Sequence, residues 1–262
     1  RIRFMTETVA SQSDLLCRNC GGHCAFDPAQ QDLLCQNCGT LWPLASDTDP
    51  EAALEFPFDP DKPQREPPSL LGDHVHQCET CGGAVVFTGP ALSDGCHYCN
   101  GPVVLTVEGK AYETMALVPF RVDHAFAKRS VTEWISHRFA APNDLGHVIS
   151  EGSVAGIYAP FWTFDSSEAI EYWASYTTGS GDKRRRHHVS NTMNVHFDDL
   201  LVPASEHVTP LIRDGILHDF QPGYLRPYKA GYLAGFAAER HHWTVGKGLR
   251  MNAQDKDLLI RN

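Results

Sequence analysis

A chain of 262 residues exceeds the usual size of one domain, and 42% hydrophobic residues with 10% aromatics is not the composition of a disordered chain. The formal charge of −10 is uneven. Residues 1–105 hold 5 Lys and Arg against 14 Asp and Glu, a net of −9, while residues 106–262 hold 17 against 18, a net of −1; an excess of carboxylates weighs against a phosphate-binding surface in the first part.

Residues 1–4 read as an extension ahead of Met5. No secretory apolar core follows, and no apolar run reaches membrane-spanning length, so the expected location is cytoplasmic. There, nine cysteines point to metal rather than to disulfides.

Eight of the cysteines form two sets. Cys17, Cys20, Cys35 and Cys38 read C-x2-C-x14-C-x2-C; Cys78, Cys81, Cys96 and Cys99 repeat the spacing 61 residues later. Gly21 and Gly22 correspond to Gly82 and Gly83, and Phe26 to Phe87, so one module occurs twice. Two residues between cysteines allow a tight turn that aims both sulfurs at one ion. Leaving that turn needs positive φ, which Gly21, Gly39, Gly82 and Asn100 supply. Four thiolates in a closed set favour structural zinc, with iron of the rubredoxin kind and redox-active C-x-x-C as the alternatives. The expectation is two zinc ribbons, at 12–42 and 74–105, holding two Zn2+ per chain. Cys24 aligns with Val85 and reads as a small buried side chain. His23 and His97 lie beside complete ligand sets and read as bystanders.

Residues 43–73 combine seven prolines with acids and read as a linker, in which Phe56 and Phe58 are isolated aromatics. Residues 106–262 read as an α+β domain on an antiparallel sheet. Residues 103–107 form a strand. Asp123 caps a helix to about Phe139, with Phe126, Trp134, Ile135 and Phe139 at its apolar positions. Two strands span 154–164 and 168–178, a turn follows at Gly179 to Asp182, and a third strand places Val189, Met193, Val195 and Phe197 on one face. Short helices are expected at 211–218 and 228–239, and a last one near 247–260.

Lys183, Arg184, Arg185 and Arg186 are the one concentrated positive charge, placed at a hairpin tip and read as a contact for an acidic partner. No phosphate loop, nucleophile turn or H-E-x-x-H occurs.

The paired ribbons, with ALVPFRV (116–122), FAAPNDL (139–145), GIYAPFWTFD (156–165), LVPAS (201–205) and YLAGFAAER (232–240), resemble a bacterial family of TFIIB-type zinc-ribbon proteins, often labelled primosomal helicase-like. The chain carries no ATP-binding motif, so the resemblance does not extend to helicase activity. Relatives continue with further strands ending in a segment like NGQTG, which implies a truncated last domain here. The leading expectation is a non-enzymatic zinc protein that acts as an assembly or adaptor module for protein partners, without membrane insertion. The alternatives are nucleic-acid binding through the ribbons or the 183–186 loop, and an enzyme using His187, His196 or His218.

Overall fold

The computed structural model describes residues 15–44, 58, 74–78, 81–82, 84–87, 91–96, 99–105, 114–138, 154–208, 213, 215, 220–241 and 243–261. The fold is mixed α+β. In the first ribbon, β1 (Cys24–Asp27) pairs antiparallel with β2 (Asp32–Cys35), and β2 with β3 (Leu41–Trp42). The period-2 alternation sends Cys24 and Phe26 inward from β1 and Leu33 and Cys35 inward from β2. Asp27 shapes the turn between them by accepting the Ala29 N–H at 2.8 Å.

In the second ribbon, β4 (His74–Gln77) pairs with β5 (Ala84–Phe87), and β6 (Ala91–Gly95) with β7 (Pro102–Val104). Its β6–β7 hairpin does not stand alone. The sheet order is β7-β6-β13-β9, with β13 (Ala237–Glu239) antiparallel to β6 and parallel to β9 (Ile157–Tyr158).

Residues 230–239 lie between the two ribbons and join them. Backbone N–H of Phe26 donates to the Ala234 carbonyl at 2.9 Å, and the Phe26 ring meets Tyr232 edge-on at 5.2 Å and Phe236 at 6.3 Å. Ser93 of β6 donates its hydroxyl to the Phe236 carbonyl. Gly231 is packed so closely that a Cβ would lie 2.5 Å from Leu44. Leu15, Phe26, Leu33, Leu44, Leu92, Leu233 and Phe236 therefore share one core. The sequence divides the chain at residues 42, 73 and 105, yet apolar packing runs across these positions. Val85, Phe87 and Val103 form a smaller cluster around the second cysteine set.

Two long strands leave this body. β10 (Phe161–Thr178) and β11 (Arg185–Pro203) form a two-stranded antiparallel ribbon of about 55 Å. The sequence places a break at 165–167; there the structure has a bulge between Phe164 and Ser166, and one strand continues through it. The tip turns on Gly179 and Gly181, both at positive φ. Directly opposed residues share a face, so Ile170, Tyr172, Ala174 and Tyr176 lie with Met193, Asn191, Val189 and His187. The base is anchored by the Trp162 indole N–H, which donates to the Trp243 carbonyl at 3.2 Å. The base of the apolar face is covered by α2 (Val245–Arg261), whose Gly248 abuts Trp162 and Phe164 and whose Lys256 pairs with Glu168.

Several elements differ from expectation. The helix α1 (His124–Ser136) has the predicted cap, Asp123 accepting the Phe126 N–H at 2.6 Å, but buries no residue. Phe126 and Trp134 are exposed, with Arg129 and Arg138 guanidinium groups over their rings. Periodicity locates an apolar stripe, and the tertiary fold decides whether anything lies against it. The segment read as a helix over 228–239 holds a 3-10 turn (Ala230–Leu233) and β13 instead. The neighbouring β12 (Arg226–Pro227) pairs with β8 (Ala116–Leu117). Within 211–218 only Arg213 and Gly215 are described, and both are helical. Phe56, His97, Phe139 and His218 lie outside the described residues, as does most of the 43–73 linker, while Phe58 is exposed.

Candidate metal centres

Each ribbon brings its four cysteines together. The sulfurs of Cys17, Cys20, Cys35 and Cys38 all lie within 4.8 Å of one another, as do those of Cys78, Cys81, Cys96 and Cys99. In the first set Cys17 is 3.6 Å from Cys38 and Cys20 is 3.5 Å from Cys35; in the second, Cys78–Cys99 and Cys81–Cys96 are both 3.6 Å. Four sulfurs at the zinc–thiolate distance of about 2.3 Å form a tetrahedron with edges of about 3.8 Å. The arrangement fits one tetrahedral ion per ribbon, and zinc fits its all-thiolate donor set.

The local sequence explains the convergence. Gly21, Gly39 and Gly82 have φ of 71°, 70° and 71°, and Asn100 has 58°. All four residues predicted to leave the turns through positive φ do so. Those turns direct N–H groups at sulfur: Gly22 donates to Cys20 at 3.4 Å and Cys38 to Cys35 at 3.5 Å. Side chains add donors, with the Trp42 indole N–H 3.3 Å from Cys17 and the Asn37 amide 3.6 Å from Cys20. Such donors stabilise thiolate over thiol. The Thr40 hydroxyl at 3.1 Å and the Thr40 backbone N–H pull Cys38 down to about 6. Cys17 is also lowered: burial opposes ionisation, and the Trp42 donor with the turn amides outweighs it. Cys17, Cys35, Cys78 and Cys96 are buried while Cys20, Cys38 and Cys81 are exposed, so each centre has an inner edge in the core and an outer edge in solvent.

The other cysteine and the histidines are placed as follows. Cys24 is 1% exposed, and burial pushes its thiol up to about 12. It stands behind the Cys17–Cys35 edge and outside the tetrad. Its counterpart Val85 is fully buried at the equivalent place. His23 stands outside its own tetrad and lies against Gly101 of the second ribbon, where a Cβ would be 3.2 Å from the His23 ring and 3.3 Å from the Cys99 sulfur. That contact between the two ribbons had no signal in the cysteine spacing.

The remaining site residues lie on the ribbon. Lys183, Arg184, Arg185 and Arg186 are exposed at its tip, with Arg186 donating to the Ser175 hydroxyl at 3.2 Å. His187 stacks on Tyr176 and bonds Thr178, while His196 bonds Ser167 at 2.9 Å. An odd and an even position on one strand point to opposite faces, so His187 and His196 do not converge on one centre.

No family model matches this chain, and no solved structure matches it. It is similar to an uncharacterised protein, YdjG, of Bacillus subtilis (strain 168), at 24% identity over 136 residues, which is 49% of this chain and 40% of that protein. The chain thus spans less than half the length of the curated relative it matches. Among the described residues, no helix is long and apolar enough to cross a membrane.

Proposed function

We propose that this chain is a non-enzymatic zinc-binding protein that serves as an assembly or adaptor module in a larger complex, with Zn2+ in both cysteine tetrads. The observation that carries the metal reading is the pair of four-sulfur clusters at zinc-compatible spacing. The zinc is structural, since four protein ligands leave no open position for substrate. Its role is to fix the knuckles, which on their own bury too little apolar surface to fold. A reducing, cytoplasmic setting would keep the thiols available. The resemblance to bacterial TFIIB-type zinc-ribbon proteins belongs to the same proposal.

The adaptor reading is supported by the ribbon that extends from the zinc-stabilised body. Its four exposed cations at the tip fit carboxylates on a partner protein. Elemental analysis of the reduced protein is expected to give two zinc per chain, and Cys35→Ser and Cys96→Ser are each expected to lose one. A single zinc, or bound iron, would refute the cofactor assignment. Native co-purification tests the adaptor role: acidic protein partners should be lost from an Arg184→Ala, Arg185→Ala, Arg186→Ala variant in a salt-sensitive way. The competing nucleic-acid reading draws on Trp173, 80% exposed near that tip. Gel shifts that vanish in the triple variant would put it first.

A further inference from the structure

The outer edge of β11 has a distinctive composition. Residues 187–197 contain no Lys, Arg, Asp, Glu or Pro. Arg185 and Arg186 precede this run, and Asp198 and Asp199 follow it. Among the described residues, no strand pairs with that edge, because the sheet consists of β10 and β11 alone. A long edge strand without a central charge or proline is a template for strand addition. The edge of β10 differs, since Glu168 and Glu171 interrupt it.

We propose that a second copy of this chain pairs antiparallel along β11, joining two ribbons into one four-stranded sheet. The occupant follows from charge and register. A two-fold axis at Thr192 sets Arg186 opposite Asp198 of the second copy, where the β11 bulge of Asp198 and Asp199, the latter at positive φ, ends the regular edge. Between them Val189 meets Val195, and Thr192 meets Thr192. This register keeps odd positions with odd, so the apolar faces of both ribbons stay on one side of the sheet. The cationic end of each strand meets the acidic end of the other, and like charges do not meet. Asp199 fits this need for a cation: burial, with the Asp165 and Asp198 carboxylates beside it, raises it above the ordinary carboxylate range.

The same arrangement accounts for apolar surface that one copy leaves in water. Tyr172, Tyr176, Val189 and Met193 are exposed beyond the end of α2, and Leu258 and Leu259 are exposed on α2 itself. In the four-stranded sheet each α2 lies level with the distal half of the other ribbon and on the same face. Its two leucines then have that surface beside them. The shared edge of 13 residues is about 44 Å long. With a sheet thickness of about 10 Å it covers roughly 900 Å² in total before the helices are counted, close to the size at which specific interfaces begin. The inference rests on the adaptor reading only in taking the tip cations as carboxylate ligands, and it names the carboxylates.

Sedimentation velocity on the full, zinc-loaded chain over micromolar concentrations tests it. The expected result is a concentration-dependent dimer that weakens with salt. Thr192→Lys, which sets two cations face to face on the axis, is expected to give monomer. Arg186→Asp is expected to weaken association about tenfold or more. Adding Asp198→Arg to that variant is expected to restore the dimer. Within one chain these two residues are twelve positions apart, roughly 40 Å along a strand, so restoration can arise only between copies. Zinc content and circular dichroism confirm that each variant is folded. A wild-type chain that stays monomeric overturns the inference, and so does a folded double variant that fails to dimerise. Zinc stoichiometry and capture of other proteins are read separately, so a failed dimer leaves the metal and adaptor readings to their own tests.

Discussion

Replacing Phe26 with Ala probes whether the first ribbon is an appendage or part of the body. Phe26 is 5% exposed and lies between Tyr232 and Phe236. It is no metal ligand, and its backbone bond to Ala234 survives truncation. Removing a buried phenyl ring costs about 3–5 kcal/mol through lost transfer energy and the cavity left behind. At about 2–4 °C per kcal/mol for a chain of this size, the melting temperature should fall by about 6–20 °C. Differential scanning calorimetry with excess zinc is the assay, and the whole main transition is expected to move, because the ring's partners belong to the 230–239 segment that β6 and β9 also use. Phe87 is the internal control. It is 1% exposed at the equivalent repeat position, but its neighbours are Val85, Val103 and the second cysteine set. Phe87→Ala should therefore act chiefly on retention of the second zinc. If Phe26→Ala melts the first ribbon alone and leaves the main transition in place, the shared core does not exist.

Cys24→Val should keep both zinc ions and change stability by less than about 1.5 kcal/mol, since Val85 already fills the equivalent buried place in the second ribbon; zinc stoichiometry and thermal melts check this. Asp123→Ala should cost about 0.5–2 kcal/mol of helix stability. Because α1 buries nothing, the loss should show as faster hydrogen exchange in that helix with little change in global melting. With zinc bound, Cys24 should resist alkylation until the chain unfolds, because it is buried and its thiol is pushed up to about 12. Acidification should release zinc, since protons compete with the ion for the thiolates. Cys38, held down at about 6 by Thr40, should keep its share of that binding until the pH falls towards that value. Alkylation of Cys24 in the folded, zinc-loaded chain at neutral pH would contradict its placement in the core.

What could be read from the sequence depended on whether the determinant was local. The cysteine tetrads were legible because spacing, glycine position and repeat identity all lie within one turn and one hairpin. The tip of the long ribbon was legible for the same reason, through Gly179, Gly181 and the adjacent cations. The break expected near Asp165 was not there. β10 runs straight through Asp165, and the bulge lies on β11, where Asp198 and Asp199 oppose that one residue; only the pairing of the two strands reveals it. The YLAGF segment was the larger miss. Its apolar run satisfied a helical reading, yet Tyr232, Leu233 and Phe236 are buried against the first ribbon, roughly two hundred residues earlier in the chain. No local pattern encodes that distance.

The same limit explains α1. Phe126 and Trp134 occupy the positions of a buried stripe and remain exposed, because periodicity gives the direction of a face and not the surface that meets it. The β11 edge is the intermediate case. Its uncharged centre and oppositely charged ends are visible in the sequence, but a run of His, Ser, Asn, Thr and Val is unremarkable until, among the described residues, the strand is seen to lack a neighbour on one side. Only then does the order of Arg185, Arg186, Asp198 and Asp199 become a register, because a two-fold axis pairs the start of the strand with its end. The charge order of the sequence is therefore what the proposed contact uses, and the two-stranded topology leaves that edge unpaired among the described residues.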